Sequence, residues 1–192
     1  MPPKTKFTRE EVVSAALDIV REGGMTKLTA RSLAARLGSS AKPVFGLFEN
    51  MHEVQNEVML AANAEYQRFL ADKMMRNAYE PYKASGMAYI AFARDERELF
   101  RLLFMRDRSE ELPQPKDESL DIIIALICKS TGLNEEDARL FHLEMWVFVH
   151  GIASMIVTNY LDWDEETVSN VLTDAYQGLK SRWCGEAREW TQ

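Results

Sequence analysis

Leu28–Asn50, LTARSLAARLGSSAKPVFGLFEN, is the stretch on which the reading of the fold turns. A short alanine-rich run is followed by Leu-Gly-Ser-Ser, then by a second run that carries Pro43 near its start. Thr29 can cap a helix whose buried side is Leu33, Ala34 and Leu37. Gly38 can stop it by taking the positive φ of a tight turn. Ser40 can cap a third, short helix over Ala41–Leu47, where Pro43 is tolerated because first-turn amides have no partner inside a helix. Two such helices joined by a short turn form a helix-turn-helix, whose second helix meets base edges while the first crosses the backbone. Val44 and Phe48 are then expected inward, leaving Ala41, Lys42, Pro43, Phe45 and Gly46 outward. Thr29 and Ser40 stand at helix N-termini, which suit phosphate oxygens, and Lys42 has the reach for a phosphate or a guanine edge. A plain helical hairpin with solvated charges fits the same pattern.

Outward from this core the pattern stays helical. Thr8 can cap a helix with Val12, Val13, Ala16, Ile19 and Val20 at three- and four-residue steps, ended by Gly23-Gly24. A long helix is expected over Met51–Arg76, then Tyr82–Ala93 and Glu96–Met105. The Pro-containing, charged segment Asp107–Glu118 reads as a loop, followed by helices over Ser119–Ser130, Asn134–Tyr160 and Asp164–Trp183. The expectation is an all-α chain of about nine helices, with a three-helix head over 1–50 and a larger helical body over 51–192.

Composition narrows the function. The chain has 192 residues, 46% of them apolar, with 9 Gly and 6 Pro, enough for a sizeable helical core. The net charge of −7 is divided unevenly, +3 over residues 1–50 and −10 over the rest, so the head alone suits a polyanion. Cys128 and Cys184 are too few and too distant for a disulfide framework or zinc cluster, and read as reduced thiols. The opening residues, MPPKTKFTREEVV, lack the apolar region of a signal peptide, and the nearly uncharged stretch Met145–Leu161 is short for a membrane span. A cytoplasmic protein is therefore expected. His142 and His150, eight apart, are separated by about 12 Å along a helix, so they cannot chelate one ion. No nucleophile–base set or phosphate loop is visible; neither enzyme activity nor a metal or cofactor is expected.

Residues 8–54 resemble the DNA-binding head of the tetracycline-repressor (TetR) family of bacterial transcription regulators. The resemblance rests on VVSAALDIVREGG, LTARSLAARLG and SSAKPVFGLFENMHEV, with the Leu33-Ala34 pair, a Gly, the capping Ser40, and Phe45 followed by Phe48. Two positions depart from the family. Phe45 stands where a phosphate-binding Tyr is usual, and Met51 where a Lys often is. Further on, FHLEMWVFVHGIASMIV resembles a Trp-x-x-x-His-Gly pattern of one group of TetR-type C-terminal domains, through Trp146, His150 and Gly151.

Trp146 and His150, four apart, share one helix face; they read either as ligand-orienting groups or as core and a hydrogen-bonded interior histidine. Met87, Phe92 and Phe104 are expected near them as apolar walls of a ligand site. On the last helix, Val168, Leu172, Ala175, Tyr176 and Leu179 form an apolar stripe, which the resemblance assigns to a homodimer interface and which could equally pack inside one chain. The resemblance implies a dimeric, ligand-responsive regulator, a repressor, that binds a palindromic double-stranded DNA operator and is released by a small, largely apolar effector. The alternative is an all-helical ligand- or protein-binding module that no longer uses DNA.

Overall fold

The computed structural model describes residues 6–76, 79–109 and 118–185. Eight α-helices run through them, with no strand among the described residues: α1 (Arg9–Gly23), α2 (Ala30–Arg36), α3 (Met51–Arg76), α4 (Pro81–Asp95), α5 (Arg97–Phe104), α6 (Glu118–Thr131), α7 (Glu135–Val157) and α8 (Glu165–Cys184). A single 3₁₀ turn, Met25–Lys27, separates α1 from α2. Most of the expected loop after Asp107 lies outside the described residues.

Local chemistry fixes the helix ends. Thr8 and Glu11 form a reciprocal cap on α1: the Thr8 hydroxyl accepts from the Glu11 amide, and the Glu11 carboxylate accepts from the Thr8 amide. Thr29 and Ser32 do the same for α2. Asn134 and Asp164 cap α7 and α8 through the amides of Asp137 and Thr167. Gly24 ends α1 at φ 76°, where a side chain would also meet the Glu98 carboxylate at 2.9 Å.

The expected third helix is a correction. Ala41–Leu47 is a run of hydrogen-bonded turns, not a continuous α-helix. Phe45 and Gly46 donate four residues back, to Ala41 and Lys42, but Leu47 donates only three back, to Val44. The carbonyl of Pro43 is thus skipped in a seven-residue segment that also contains a glycine, and neither residue supports a helix interior. Ser40 accordingly has no helix to cap, and its hydroxyl makes no hydrogen bond among the described residues.

The chain divides into two compact units, Met1–Phe69 with Asp95–Asp107, and Leu70–Arg94 with Arg108–Gln192. The head expected over 1–50 falls inside the first, which also takes in much of α3 and all of α5. Its core is Val12, Ala16 and Val20 of α1, Leu33 of α2, Val44 and Phe48 of the turns, Val54 and Val58 of α3, and Leu99 and Phe100 of α5, all buried.

In the second unit, Ile124 and Ile127 of α6, Ala138, Phe141 and Met145 of α7, and Trp183 of α8 form one buried cluster. The Trp183 indole N–H donates to Glu144 at 2.8 Å, tying α8 to α7. Gly86 of α4 brings its backbone against Val149 and Leu172, where an added Cβ would lie 3.5 and 3.6 Å away.

Two further expectations concern this unit. The α8 stripe assigned to a second copy faces this chain's own core: Val168 and Leu172 are 1% and 3% exposed, and Ala175, Tyr176 and Leu179 pack on the α6–α7 cluster. The Tyr176 ring meets Phe141 edge-on at 5.6 Å. Secondly, α7 is long and apolar enough to cross a membrane by length and composition, although one side of it carries Phe141, Met145, Val149 and Ile152 into the core. Phe141 has no exposed surface. Truncating it to Ala should lower unfolding free energy by about 3–5 kcal/mol, measured by urea denaturation followed at 222 nm; a loss below about 1 kcal/mol would remove it from the centre of this core.

Candidate functional site

Two sets of residues carry the chemistry, one in each unit. In the first, α1 and α3 hold the turn segment between them through Arg9. Its guanidinium donates to the Leu47 carbonyl at 2.6 Å, to Glu53 at 2.8 Å and to Glu57 at 2.9 Å, and lies 4.2 Å from the centre of the Phe48 ring. Glu53 and then Glu57 raise the Arg9 pKa further above its ordinary value. The Glu49 amide, followed by Arg9, holds the Glu53 carboxyl below its ordinary value. The last carbonyls of the turn segment are thereby anchored, with Val44 and Phe48 buried beneath.

The outer side of that segment matches the sequence reading in part. Ser40, Lys42, Phe45 and Gly46 are exposed, Phe45 by 44%, while Ala41 and Pro43 are half-buried. Thr29 is exposed, but its hydroxyl is engaged in the α2 cap.

Electrostatics sorts the head's cations into two groups. Arg9 is paired with Glu53 and Glu57, Arg21 with Glu96, Glu65 and Asp18, and Arg36 with Glu22. Lys6, Lys27, Arg31 and Lys42 pair with no carboxylate among the described residues. Sequence counting weights all of these charges equally, yet only the second group is available to an outside anion. A shallow hollow lined by Glu10, Glu11, Ser14, Ala15, Asp18 and Arg36 marks an acidic side of the same unit.

In the second unit Trp146 and His150 stack as their spacing predicts, ring centres 4.9 Å apart and planes inclined by 15°. Trp146 is 41% exposed, so it is not a core residue. The His150 Nδ1 lies 2.8 Å from the Tyr89 hydroxyl, a partner with no signal in the sequence. One heptad earlier on α4, Tyr82 makes the same kind of contact with His142 at 3.2 Å. Burial lowers the pKa of both histidines and raises that of Tyr82. Of the expected walls, Phe92 is fully buried and Met87 nearly so, both in this unit. Phe104 belongs to the first unit, where its ring packs 5.0 Å from Tyr66 and from Phe100.

Among the described residues no group of three or more His, Cys, Asp or Glu side chains is placed to hold a metal ion. What the two sets offer is a partly basic, hydroxyl-bearing surface in one unit and an aromatic, hydrogen-bonding group in the other.

The comparisons agree. Residues 82–176, from α4 into α8, match the family model of the tetracyclin repressor-like, C-terminal domain. In fold the chain is similar to a putative transcriptional regulator from Pseudomonas aeruginosa PAO1, at 14% identity and a TM-score of 0.64, with 92% of this chain and 94% of that one covered. It is also similar to the multidrug binding protein EbrR, solved with imidazole, at 17% identity and a TM-score of 0.55, covering 87% and 93%. A glutamine-to-alanine variant of TetR from Acinetobacter baumannii AYE, solved with minocycline, aligns at 15% identity and a TM-score of 0.54, covering 97% and 100%. None of the curated proteins matches in sequence. The chain carries a tetracyclin repressor-like C-terminal domain over 82–176 and shares the fold of TetR-type regulators.

The lowered histidines set a pH dependence. A histidine whose folded pKa lies below its ordinary value binds fewer protons folded than unfolded, so its contribution to stability is complete above about pH 6.5 and is lost as pH falls below it. The urea midpoint should therefore drop between pH 7 and pH 5.5. Replacing His142 and His150 together with Asn should flatten that drop; an equally steep drop in the variant would place its origin elsewhere.

Proposed function

We propose that the chain is a ligand-responsive repressor that binds palindromic double-stranded DNA as a homodimer. The observation that carries the DNA reading is the sorting of the head's cations. Its arginines at 9, 21 and 36 are engaged within the fold, while Lys42, beside the exposed Ser40, Phe45 and Gly46, is left to an outside partner. Residues 1–50 supply the DNA-binding segment in this reading. Thr29, Ser40 and Lys42 meet the backbone or a guanine edge, and Ala41, Pro43, Phe45 and Gly46 fill the groove surface between them.

The dimer reading moves from α8 to the outer side of α7. Leu140, Leu143 and Val147 lie on that side, with Leu143 and Val147 52% and 58% exposed. Gly151 continues the same row and has nothing within 4 Å of an added Cβ, so a second helix can approach closely there. A two-fold dimer places two heads on two half-sites, which is why a palindrome is expected.

The ligand reading rests on Trp146, His150 and Tyr89. A half-exposed indole stacked on an imidazole offers an aromatic face and one hydrogen-bonding group, which suits a flat, largely apolar effector. Two proteins of similar fold were solved with the ring compounds imidazole and minocycline. Repression is relieved when the effector binds one conformational state better than the other.

Duplexes enriched from a random-sequence pool on immobilised protein test the DNA reading, and should share an inverted repeat. Lys42→Ala should then flatten the slope of log affinity against log salt by about one, if it holds a phosphate, or relax one base position by roughly tenfold, if it reads guanine. Failure to enrich any duplex would favour a helical binding module without DNA, a reading supported by the missing hydroxyl at Phe45 and missing charge at Met51. Sedimentation should give a dimer at micromolar concentration, and Leu143→Glu with Val147→Glu should give folded monomers; a wild-type monomer would refute the dimer.

A further inference from the structure

We infer that Lys6 and Ser39 together form a second backbone-phosphate contact, joining the segment before α1 to the operator; the inference rests on the DNA reading above. The Lys6 ammonium donates to the Ser39 hydroxyl at 3.1 Å, across 33 residues of sequence. Ser39 lies in the turn between α2 and the recognition segment, directly after Gly38 and directly before the exposed Ser40. Lys6 is exposed and makes no ion pair among the described residues.

The chemistry of the pair selects an anion. An ammonium has three N–H donors and no acceptor, so one bond to Ser39 leaves two donors directed elsewhere. Because the Ser39 oxygen accepts from Lys6, its own hydrogen is available to donate. A cationic donor and a hydroxyl donor about 3 Å apart match two non-bridging oxygens of one phosphate, and charge-assisted bonds of this kind are the strong ones. A carboxylate would fit the same donors, but no carboxylate pairs with Lys6 among the described residues. Gly38 sits at φ 57° with nothing among the described residues within 4 Å of an added Cβ.

The position explains a shortage in the recognition segment. Between Leu37 and Asn50 the sequence holds a single cation, Lys42; position 45 has no hydroxyl and position 51 no charge. One lysine is a thin electrostatic grip for a head that must hold DNA at physiological salt, where backbone contacts dominate affinity. Lys6 supplies a second cation at the opposite end of the same turn. Its contact is sequence-blind, so it sets register and affinity and leaves operator choice to Lys42 and its neighbours.

The test measures binding of the full chain to two duplexes, one enriched from the random pool and one of scrambled sequence, at several salt concentrations. Lys6→Gln should weaken both about equally, by threefold to tenfold near 100 mM salt, and reduce the salt slope by about one. Lys6→Arg should restore the slope. Ser39→Ala should weaken both duplexes without changing the slope, since it removes a neutral donor. Lys129→Gln, on α6 in the other unit, serves as the control and should change nothing. If wild type binds while Lys6→Gln keeps the wild-type slope and affinity, the phosphate contact is wrong and the DNA reading survives. If wild type binds neither duplex, both fall together.

Discussion

The guanidinium of Arg9 does for the Ala41–Leu47 segment what regular helical hydrogen bonding does elsewhere in the chain. Ala41–Leu47 is too short, and too interrupted by Pro43 and Gly46, to be stable on its own backbone bonds. Arg9 reaches its end from α1, takes the Leu47 carbonyl, covers the Phe48 ring, and is held in turn by two carboxylates of α3. The segment is therefore positioned by tertiary contacts, with Val44 and Phe48 as its apolar feet. Its outer side chains are left unconstrained by folding and open to selection by a partner. Since Glu53 is held ionised first by the Glu49 amide and then by Arg9, the clamp loosens as acid protonates that carboxylate.

The same unit shows why a formal charge is a poor guide to a binding face. Arginine, with its planar fork of donors, is suited to bridging carboxylates, and three of the head's four arginines do so within the fold. Among the described residues the cations left over are Arg31 and the lysines at 6, 27 and 42, whose compact ammonium groups keep their hydration on the surface. The acids are not scattered at random either: on α1 and α3 they pair with Arg9, Arg21 and Arg36, and leave Lys42, between α2 and α3, without a carboxylate partner among the described residues. An acidic protein can thus carry a locally basic surface without a basic domain.

Much of the fold was legible in the sequence, because caps and stops are local. Thr8, Thr29, Asn134 and Asp164 each announce a helix start by side-chain chemistry that depends on no distant residue, and Gly24 and Gly38 announce the stops. The third helix was misjudged where two local signals conflicted: a capping serine and helical spacing argued for it, while Pro43 and Gly46 argued against. The α8 stripe was left open in the sequence for another reason. An apolar row states that something covers it, but the identity of the cover, α6 and α7 of the same chain, is a matter of topology. The stack of Trp146 on His150 follows from four-residue spacing alone, whereas Tyr89, 61 residues away, could be joined to it only by the packing of α4 on α7. Phe104 was drawn into the ligand site by its chemistry and assigned to the other unit by its contacts.

That packing carries a mechanical consequence. Tyr82 and Tyr89 on α4 meet His142 and His150 on α7 in the same order along both helices, so the two helices run in the same direction and are joined at two rungs. Seven residues on one helix and eight on the other span nearly equal lengths, about 10 and 12 Å. Sliding α4 by one residue, about 1.5 Å, would lengthen both contacts together. Rotation about the line through the rungs stretches neither. Any movement of α4 along α7 is thus felt at both rungs together, while its buried face, Ala84, Met87, Ala88, Ile90 and Phe92, resists turning.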